Sequence, residues 1–452
     1  MTQFTDLALA EPLLATLAQE GYTTPTPIQA QAIPHVLEGR DLLGIAQTGT
    51  GKTAAFALPI LHRLFDKVVL PTPKSSRVLV LAPTRELASQ IAESFTVYGR
   101  RLRPSVTTVF GGVPVSKQAR ALARGVDVLV ATPGRLLDLI DQRALNLSAV
   151  EVLVLDEADQ MMDLGFIHAL RKIVALLPRQ RQTLFFSATM PPAIRELAGK
   201  YLTNPAQVAV APQSTTVERV DQSAYFVDQK DKPALLATVL QGWDYDRVLV
   251  FTRTKHGADR VVRQLAANQI AAAAIHGNKS QPQRERALGD FRDGRTRVLV
   301  ATDIAARGID VEGVSHVINY ELPNVAEQYV HRIGRTARAG RDGEAVSFVD
   351  GEERAYLKSI ERLTKQVVGR VTLPPNFTAA APVGVVEPRR EQRGPGGSRN
   401  QGGPRKPRAT HSAQPAGERP ANGAGRGPRS RGGPGRGRSG GGQGAQSQGG
   451  RA

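Results

Sequence analysis

Short runs of apolar residues alternate along most of the chain with longer stretches of helical periodicity. The runs are rich in Val, Leu, Ile and Phe, and they predict strands at 77–81, 126–131, 150–155, 183–186, 247–251, 297–301 and 314–320. Strands without a polar face must be covered on both faces, and strands that are each followed by a helix form parallel sheets. The pattern therefore predicts an α/β fold with helices on both sides of parallel sheets.

The second part of this pattern repeats the first. Residues 127–135 (Asp-Val-Leu-Val-Ala-Thr-Pro-Gly-Arg) resemble residues 297–303 (Arg-Val-Leu-Val-Ala-Thr-Asp), and residues 78–85 resemble residues 248–253. A repeat of this length predicts two similar α/β domains rather than a solenoid. The alternative is that all buried strands resemble one another.

Breaks in the pattern predict the domain boundaries. Pro205, Pro212, Gln213 and Ser214 interrupt the alternation, which indicates a linker. We expect a first domain at 1–207, the linker at 208–217, a second domain at 218–373 and a tail at 374–452. From 387 onward the chain holds 19 of the 44 glycines and no aromatic residue, so we predict a disordered Gly/Arg/Pro-rich tail.

The net charge of the chain indicates the kind of partner that it binds. The 452 residues include 59 Lys and Arg against 41 Asp and Glu, a net charge of +18, and residues 387–452 hold 14 basic and 3 acidic residues. This balance favours a polyanionic partner, nucleic acid before membrane.

Composition also bears on location. The absence of Cys excludes disulfides and Cys-ligated metals and fits a reducing compartment. Residues 1–21 hold three acidic and no basic residues, unlike a signal peptide, and no apolar run is long enough to span a bilayer. We therefore expect a cytoplasmic protein with no membrane partner.

A glycine-rich loop follows the apolar residues 42–45. Its glycines let backbone N–H groups approach phosphate oxygens, and the next helix adds a favourable dipole. Lys52 would neutralise the β- and γ-phosphates, and Thr53 would bind magnesium. The predicted phosphate-binding residues are Ala46, Gln47, Thr48, Gly49, Thr50, Gly51, Lys52 and Thr53. A chance Gly-Lys-Thr turn is the alternative.

Two adjacent carboxylates follow the apolar run 150–155. Asp156 would hold Mg²⁺ directly or through water, and Glu157 would orient and deprotonate the attacking water. Alternatively, these carboxylates and Asp159 cap the next helix. Phosphoryl transfer also needs positive charge, which the segment 331–338 would supply with its three arginines, Arg332, Arg335 and Arg338. If these arginines act, hydrolysis requires the two domains to close; the alternative is a surface helix with solvated arginines.

With these motifs the chain resembles the DEAD-box ATP-dependent RNA helicases and is similar to their bacterial RhlE-like branch. The match covers nearly all of residues 4–350, with the motifs in order, including Asp-Glu-Ala-Asp at 156–159. The resemblance implies two tandem RecA-like domains with parallel sheets, and ATP and Mg²⁺ as cofactors.

It also assigns roles to further residues. Gln29 would make paired hydrogen bonds to adenine, and Tyr22 would stack on it. Phe4 lies upstream of them, where the family places an isolated aromatic, and Asp310 would contact the ribose. Arg335 and Arg338 match the arginine-finger positions. Ser187, Ala188 and Thr189 match the motif that links hydrolysis to strand separation, and Asp159 would couple the carboxylate strand to them.

The implied RNA contacts lie just beyond predicted strands, where open α/β sheets bind ligands. Small residues and Arg at such places suit phosphate and 2′-hydroxyl contacts that ignore sequence. The alternatives are glycine turns and helix caps. The residues are Pro83, Thr84, Arg85, Gly112, Thr132, Pro133, Gly134 and Arg135 in the first domain, and Thr252, Arg253, Gly277, Gln281, Arg284 and Thr302 in the second.

The expected function is ATP-driven, local and non-processive unwinding or remodelling of RNA duplexes and ribonucleoproteins. The basic tail would add RNA affinity that falls with salt, and ribosomal and RNA-decay complexes are compatible partners. Two alternatives remain open: an ATP-gated RNA clamp or chaperone with little unwinding, and a DNA translocase. The Gln29 motif and the Asp-Glu-Ala-Asp sequence argue against the translocase.

Overall fold

The computed structural model describes residues 2–47, 49–210, 220–306, 311, 313–337 and 343–379. Residues 211–217 of the predicted linker, and the predicted tail from residue 380 onward, lie outside the described residues. So do Thr48, Asp310 and Arg338 of the predicted site.

The first half of the chain forms a sheet of seven parallel strands in the order β3-β4-β2-β5-β6-β1-β7. The strands are β1 (Leu42–Ile45), β2 (Ser76–Leu81), β3 (Val106–Val109), β4 (Val126–Ala131), β5 (Val152–Leu155), β6 (Gln182–Ser187) and β7 (Ala206–Ala209).

The second half forms another parallel seven-stranded sheet, in the order β10-β11-β9-β12-β13-β8-β14. Its strands are β8 (Val220–Phe226), β9 (Arg247–Thr252), β10 (Ala272–Ile275), β11 (Val298–Thr302), β12 (Val314–Asn319), β13 (Gly343–Val349) and β14 (Gly369–Val371). Numbered from the start of its own half, each strand has the same place in both sheets. The two halves are therefore two similar α/β domains, as the internal repeat predicts, and they are the tandem RecA-like domains that the family resemblance implies.

Helices connect the strands within each half. In the first half, a 3-10 turn at Phe4–Leu7 precedes α1 (Glu11–Gln19), α2 (Pro27–Leu37), α3 (Lys52–Asp66), α4 (Arg85–Tyr98), α5 (Val115–Leu122), α6 (Pro133–Asp141), α7 (Ala158–Asp163), α8 (Ile167–Ala175) and α9 (Pro192–Tyr201). The second half has α10 (Lys232–Gly242), α11 (Lys255–Ala267), α12 (Gln281–Arg292), α13 (Asp303–Ala306), α14 (Ala326–Ile333) and α15 (Arg354–Thr364).

Both faces of each sheet are buried, which explains the continuous apolar runs. Along β2, Val78 and Val80 pack into one core and Leu79 and Leu81 into the core on the opposite face. Strand β9 divides its residues in the same way between two cores. Because successive side chains point to opposite faces, a strand buried on both sides needs apolar residues throughout.

The phosphate loop, the carboxylates and the predicted RNA contacts lie at or just after the carboxyl ends of the parallel strands, whereas Gln29 lies in α2 and Arg335 follows α14. Within the described ranges, no helix combines the length and the apolar character needed to cross a membrane.

Candidate active site

The loop between β1 and α3 is wrapped around its own lysine. Gly49 and Gly51 have φ values of 84° and 92°, in the left-handed region that glycine enters without strain. Lys52 is 5% exposed, and its Nζ donates to the carbonyl of Ala46 at 2.9 Å. The Lys52 ammonium is thus held at the start of α3, where backbone N–H groups have no partner within the helix.

The predicted adenine reader is bonded to this phosphate loop. Gln29 lies in α2, and its Nε2 donates to the carbonyl of Gly51 at 3.1 Å, while its Oε1 accepts the Thr26 N–H at 2.9 Å. A Cβ on Gly51 would lie 2.3 Å from Gln29 Nε2, so a larger residue there would displace the amide. An amide retains one further N–H and one lone pair, which suit a base edge.

Most of the predicted nucleotide contacts line a single cleft of about 510 Å³. Tyr22 is 50% exposed and meets Tyr98 edge to face, with ring centroids 6.4 Å apart, whereas Phe4 is 5% exposed. Burial, followed by the nearby Tyr22, raises the pKa of Tyr98 to about 12. The predicted residues in the lining are Phe4, Tyr22, Gln29, Gly49, Gly51, Lys52, Thr53, Asp156 and Glu157.

The two carboxylates at the end of β5 are buried and close together. Asp156 and Glu157 are each 2% exposed, and Asp156 Oδ1 accepts the Glu157 N–H at 3.0 Å. Burial raises the pKa of Asp156 to about 7; Lys52 opposes this rise and the charge of Glu157 adds to it. Glu157 has φ 53°, an uncommon backbone conformation for a residue with a side chain. The site therefore holds an excess of negative charge that a cation would offset.

The donor set fits Mg²⁺ that arrives with a nucleotide. No group of three or more His, Cys, Asp or Glu within the described part of the chain could hold a metal ion alone. Mg²⁺ in nucleotide sites takes one or two protein oxygens, water and phosphate oxygens. The Thr53 hydroxyl and the Asp156 carboxylate line the same cleft and supply such oxygens.

Asp159 joins the carboxylate strand to the next strand. Its Oδ2 accepts the N–H of Ala188 at 3.2 Å, the N–H of Thr189 at 2.9 Å and the Thr189 hydroxyl at 2.9 Å. Ser187 Oγ donates to the carbonyl of Thr189 at 2.7 Å and closes the turn. The contact expected between Asp159 and this segment is therefore present, and its part in coupling stays a prediction.

Predicted RNA contacts of the first half lie at the ends of β2, β3 and β4, which are neighbours in the sheet. Thr84 precedes α4 and accepts the Leu87 N–H at 3.3 Å, while Thr132 precedes α6. Both threonines are buried, and so are Pro83 and Pro133, whereas Gly134 is exposed. These threonines thus serve as helix-start residues, and a direct RNA contact by them stays a prediction.

Two arginines project from the same edge. Arg85 lies against Gly112, where an added Cβ would come within 2.2 Å of Arg85 Nη1. Arg135 Nη1 donates to Val113 O at 2.7 Å and Gln118 Oε1 at 2.8 Å. Burial and then the nearby Arg284 lower the pKa of Arg85. Positive charge is thus concentrated at this edge, as phosphate binding requires.

In the second half, the predicted RNA contacts lie at the ends of β9, β10 and β11, again adjacent strands. Gly277 is exposed, whereas Thr252 is fully buried and Gln281, the first residue of α12, is 4% exposed. Thr302, the last residue of β11, is half-buried. Arg253 follows β9, and its Nη2 lies 3.2 Å from Glu353 Oε1.

Arg284 makes a contact that its sequence position does not reveal. Its Nε donates to Glu86 Oε1 at 2.8 Å, and the two side chains are 8% and 4% exposed. The pair joins α12 of the second half to α4 of the first. Arg284 thus links the two halves in this structure, and its predicted RNA contact stays a prediction.

The arginine segment at the end of α14 faces the first half. Arg335 is 7% exposed, its Nε donates to the His331 carbonyl at 3.1 Å, and both residues line a small pocket with Gln160 of α7. Arg335 is not among the described residues that line the nucleotide cleft. Sequence reasoning pointed to neither Gln160 nor His331.

Two further arginines have positions in the structure that their places in the sequence do not predict. Arg332, the first of the three-arginine segment, is 2% exposed and bonds both oxygens of Asp303 at 2.5 and 2.8 Å and the Glu321 carbonyl at 2.6 Å. It therefore fastens α14 to the strand ends. Arg292, the last residue of α12, lines the nucleotide cleft. No motif in the sequence points to it.

Known protein families and proteins match this chain over most of its length. A DEAD/DEAH box helicase family profile matches residues 26–197, and a helicase conserved C-terminal domain profile matches residues 231–340. The ATP-dependent RNA helicase DeaD of Klebsiella pneumoniae is 45% identical over 374 residues, 82% of this chain and 57% of that protein. The chain thus spans little more than half of that relative.

For two other similar proteins, the matched region makes up a larger share of their own length. The DEAD-box ATP-dependent RNA helicase CshA of Bacillus cereus is 44% identical over 83% of this chain and 70% of its own length. A structure of S. cerevisiae Dbp5 bound to RNA and ADP BeF3 matches with a TM-score of 0.72 and 32% identity, covering 82% of this chain and 96% of that chain. These relatives leave assignment to the RhlE-like branch a prediction.

Proposed function

We propose that this chain, which belongs to the DEAD-box helicase family, is an ATP-dependent RNA helicase that separates short RNA duplexes and remodels RNA–protein complexes locally, without processive movement. One observation carries the proposal: the nucleotide cleft is lined by residues of the first half and by one residue of the second half, Arg292. Lys52, Asp156 and Glu157 come from the first half and Arg292 from the second. A cleft built in this way is complete only while the halves are together.

The phosphate loop and the carboxylates would have different tasks in ATP hydrolysis. Lys52 would leave the Ala46 carbonyl for the phosphate oxygens of ATP, while Gln29 uses its remaining N–H and lone pair on adenine. Thr53 and Asp156 would hold Mg²⁺, Asp156 through water, and the bound ion would neutralise phosphate charge. Glu157 would accept a proton from the water whose oxygen attacks the γ-phosphorus, as the bond to the ADP oxygen breaks.

The second half would complete this site. Arg335, and Arg338 three residues later, would stabilise the charge on the transferring phosphoryl group. RNA would lie along the strand ends of both halves, with its phosphates near the arginines of the first edge. Asp159, through the segment 187–189, would transmit the state of the carboxylates to that edge.

We also propose the kind of RNA that the protein binds and its location in the cell. The RNA would be structured or duplex and recognised without regard to sequence, in ribosomal or RNA-decay complexes. We place the protein in the cytoplasm, which fractionation of cells expressing a tagged full-length chain would test.

A strand-displacement assay tests the function. A labelled RNA duplex with a single-stranded overhang is incubated with the full chain and ATP, ADP or a non-hydrolysable ATP analogue, and the matching DNA duplex serves as control. We expect displacement with ATP on RNA only. ATP-dependent retention of RNA without displacement would identify a clamp, equal activity on DNA a translocase, and no ATP dependence at all would overturn the proposal.

A further inference from the structure

A buried cluster of charges lies beside one of the RNA-facing loops of the second half. We call Lys232, Asp350, Glu353 and Arg253 the Lys232 cluster. Lys232 is fully buried, and its Nζ lies 2.5 Å from Glu353 Oε2 and 3.1 Å from Asp350 Oδ2. Lysine is almost never fully buried unless paired, so these two carboxylates account for its place in the core.

Glu353 is the centre of the cluster. Its side chain is fully buried, and its Oε1 accepts the Leu322 N–H at 3.0 Å and lies 3.2 Å from Arg253 Nη2. Burial raises the pKa of Glu353, and the charge of Lys232 opposes that rise. Lys232 therefore offsets part of the cost of burying the Glu353 carboxylate next to Arg253.

The topology explains why these residues meet. Strands β9, β12, β13 and β8 are consecutive neighbours in the second sheet. The segments that follow them supply Arg253, Leu322, Glu353 and Lys232 respectively. Glu353 thus fastens four adjacent connections at their carboxyl edge, the edge that carries the predicted RNA contacts. None of these contacts involves the nucleotide cleft.

We infer that Glu353, held by Lys232, is a positioning residue for RNA: it aims the Arg253 guanidinium at a backbone phosphate. This inference rests on the proposed function. The Arg253 side chain is 28% exposed, so part of it reaches the surface while Glu353 holds the other side. A guanidinium has five N–H groups in a fixed plane, and fixing one side of that plane orients the donors that remain.

Lys232 also offsets negative charge near Arg253. Glu353 and Asp350 without Lys232 would place two uncompensated negative charges in the cluster, beside the Glu321 carboxylate, which accepts the Arg253 backbone N–H at 2.6 Å. With Lys232 present the cluster itself holds two cations and two anions, which limits the negative charge that a phosphate approaching Arg253 meets. The pairing of Lys232 is therefore part of the phosphate site and not only of the core.

The test compares Glu353→Gln with Glu352→Gln, which removes the same charge from the exposed neighbouring residue. The RNA concentration dependence of ATP hydrolysis by the full chain gives KM and kcat, with a single-stranded RNA as probe. We expect Glu353→Gln to raise the KM for RNA about tenfold, the effect of losing one charged hydrogen bond, and to change kcat much less. Glu352→Gln should match the wild type.

A double-mutant cycle separates positioning from general stability. In an Arg253→Gln background, Glu353→Gln should change the KM for RNA by less than about twofold, because its route to RNA is already removed. An equal effect in both backgrounds, or a wild-type KM for the single variant, would overturn the inference.

A second variant keeps the inference testable if Glu353→Gln does not fold. Lys232→Met with Asp350→Asn and Glu353→Leu removes all three buried charges together, so that none is left unpaired, a replacement that buried ion pairs and triads often tolerate. This variant should show the same rise in the KM for RNA, and a wild-type KM would contradict the inference that Glu353 positions Arg253. If the wild type itself lacks RNA-stimulated hydrolysis, the proposed function fails, whereas a stimulated wild type with an unaffected Glu353→Gln refutes the inference alone.

Discussion

At the scale of single residues, the active site depends on a few positions where backbone conformation and side-chain contact meet. Gly51 must have a positive φ and must also leave room for the Gln29 amide. Glu157 takes a left-handed conformation although it has a side chain. Both residues adjoin the cleft, which fits the tendency of strained backbone to concentrate at functional sites.

Gly51→Ala should weaken ATP binding more than backbone strain alone can explain. A left-handed Ala costs roughly 1–2 kcal/mol, and here the new Cβ also displaces Gln29. Gly39→Ala is the matched control, since Gly39 has φ 77° and an added Cβ meets nothing within 4 Å. We expect both variants to lose stability in thermal unfolding and only Gly51→Ala to lose ATP affinity in calorimetric titration. Equal ATP affinities would contradict this account.

Glu157→Gln should abolish turnover while leaving ATP and RNA binding in place. The amide keeps the size of the side chain but cannot accept the proton of the attacking water, a loss of about 100-fold or more in kcat. Phosphate release measures hydrolysis, and fluorescence anisotropy measures RNA binding. Asp66→Asn, at an exposed end of α3, is the control for loss of an acidic charge. Normal turnover by Glu157→Gln would show that another group is the base.

Individual contacts were the least predictable part of the site. The Lys-Thr loop and the carboxylates follow from residue types at fixed spacing after a strand. Arg332 has the same residue type as its neighbours in the segment, but it is buried against Asp303. Arg292 reaches the cleft because of where α12 lies. Neither fact is encoded in local sequence, since both depend on packing between distant elements.

At the scale of elements, the continuous apolar runs predicted inner strands that are buried on both faces, whereas the partly or fully exposed strands β3, β7, β10 and β14 lie outside the predicted runs. All seven predicted runs form strands, with ends shifted by at most two residues. The internal repeat also predicted the shared topology: residues 127–131 lie in β4 and residues 298–302 form β11, which hold the same place in their sheets. Contacts between the halves had no such signal, since Glu86 and Arg284, which form an ion pair, lie 198 residues apart in the sequence.

The pair Arg284 and Glu86 should stabilise the joined arrangement of α12 and α4. Removing one partner of a buried ion pair costs about 3–5 kcal/mol, because the other charge is left buried. We therefore expect Arg284→Gln and Glu86→Gln each to raise the ATP and RNA concentrations needed to bring the halves together. Energy transfer between dyes on the two halves measures this closure.

The double variant and a surface pair provide the controls. Arg284→Gln combined with Glu86→Gln should be less impaired than the sum of the single variants, since no charge is left unpaired. Arg295→Gln breaks an exposed ion pair and should leave closure unchanged. Additive single effects would mean that the two residues do not act as a pair during closure.

At the scale of the whole molecule, the excess of positive charge should raise RNA affinity through the segment beyond residue 379. Residues 387–452 hold 14 basic and 3 acidic residues. Truncation after residue 379 should lower RNA affinity at low salt and flatten its dependence on salt. The logarithmic slope should fall by about 0.7 for each phosphate of single-stranded RNA that the segment neutralises. Filter binding across a salt series measures this, and an unchanged slope would limit the segment to a role other than RNA binding.

We propose that ATP hydrolysis requires both halves and that RNA brings them together. The decisive measurement is steady-state ATP hydrolysis by the full chain and by Arg335→Gln, each with and without single-stranded RNA. We expect a low rate without RNA, strong stimulation by RNA, and a loss of about 1,000-fold or more of the stimulated rate in the variant. Hydrolysis that is equally fast without RNA, or that survives in Arg335→Gln, would show that the two halves need not act together.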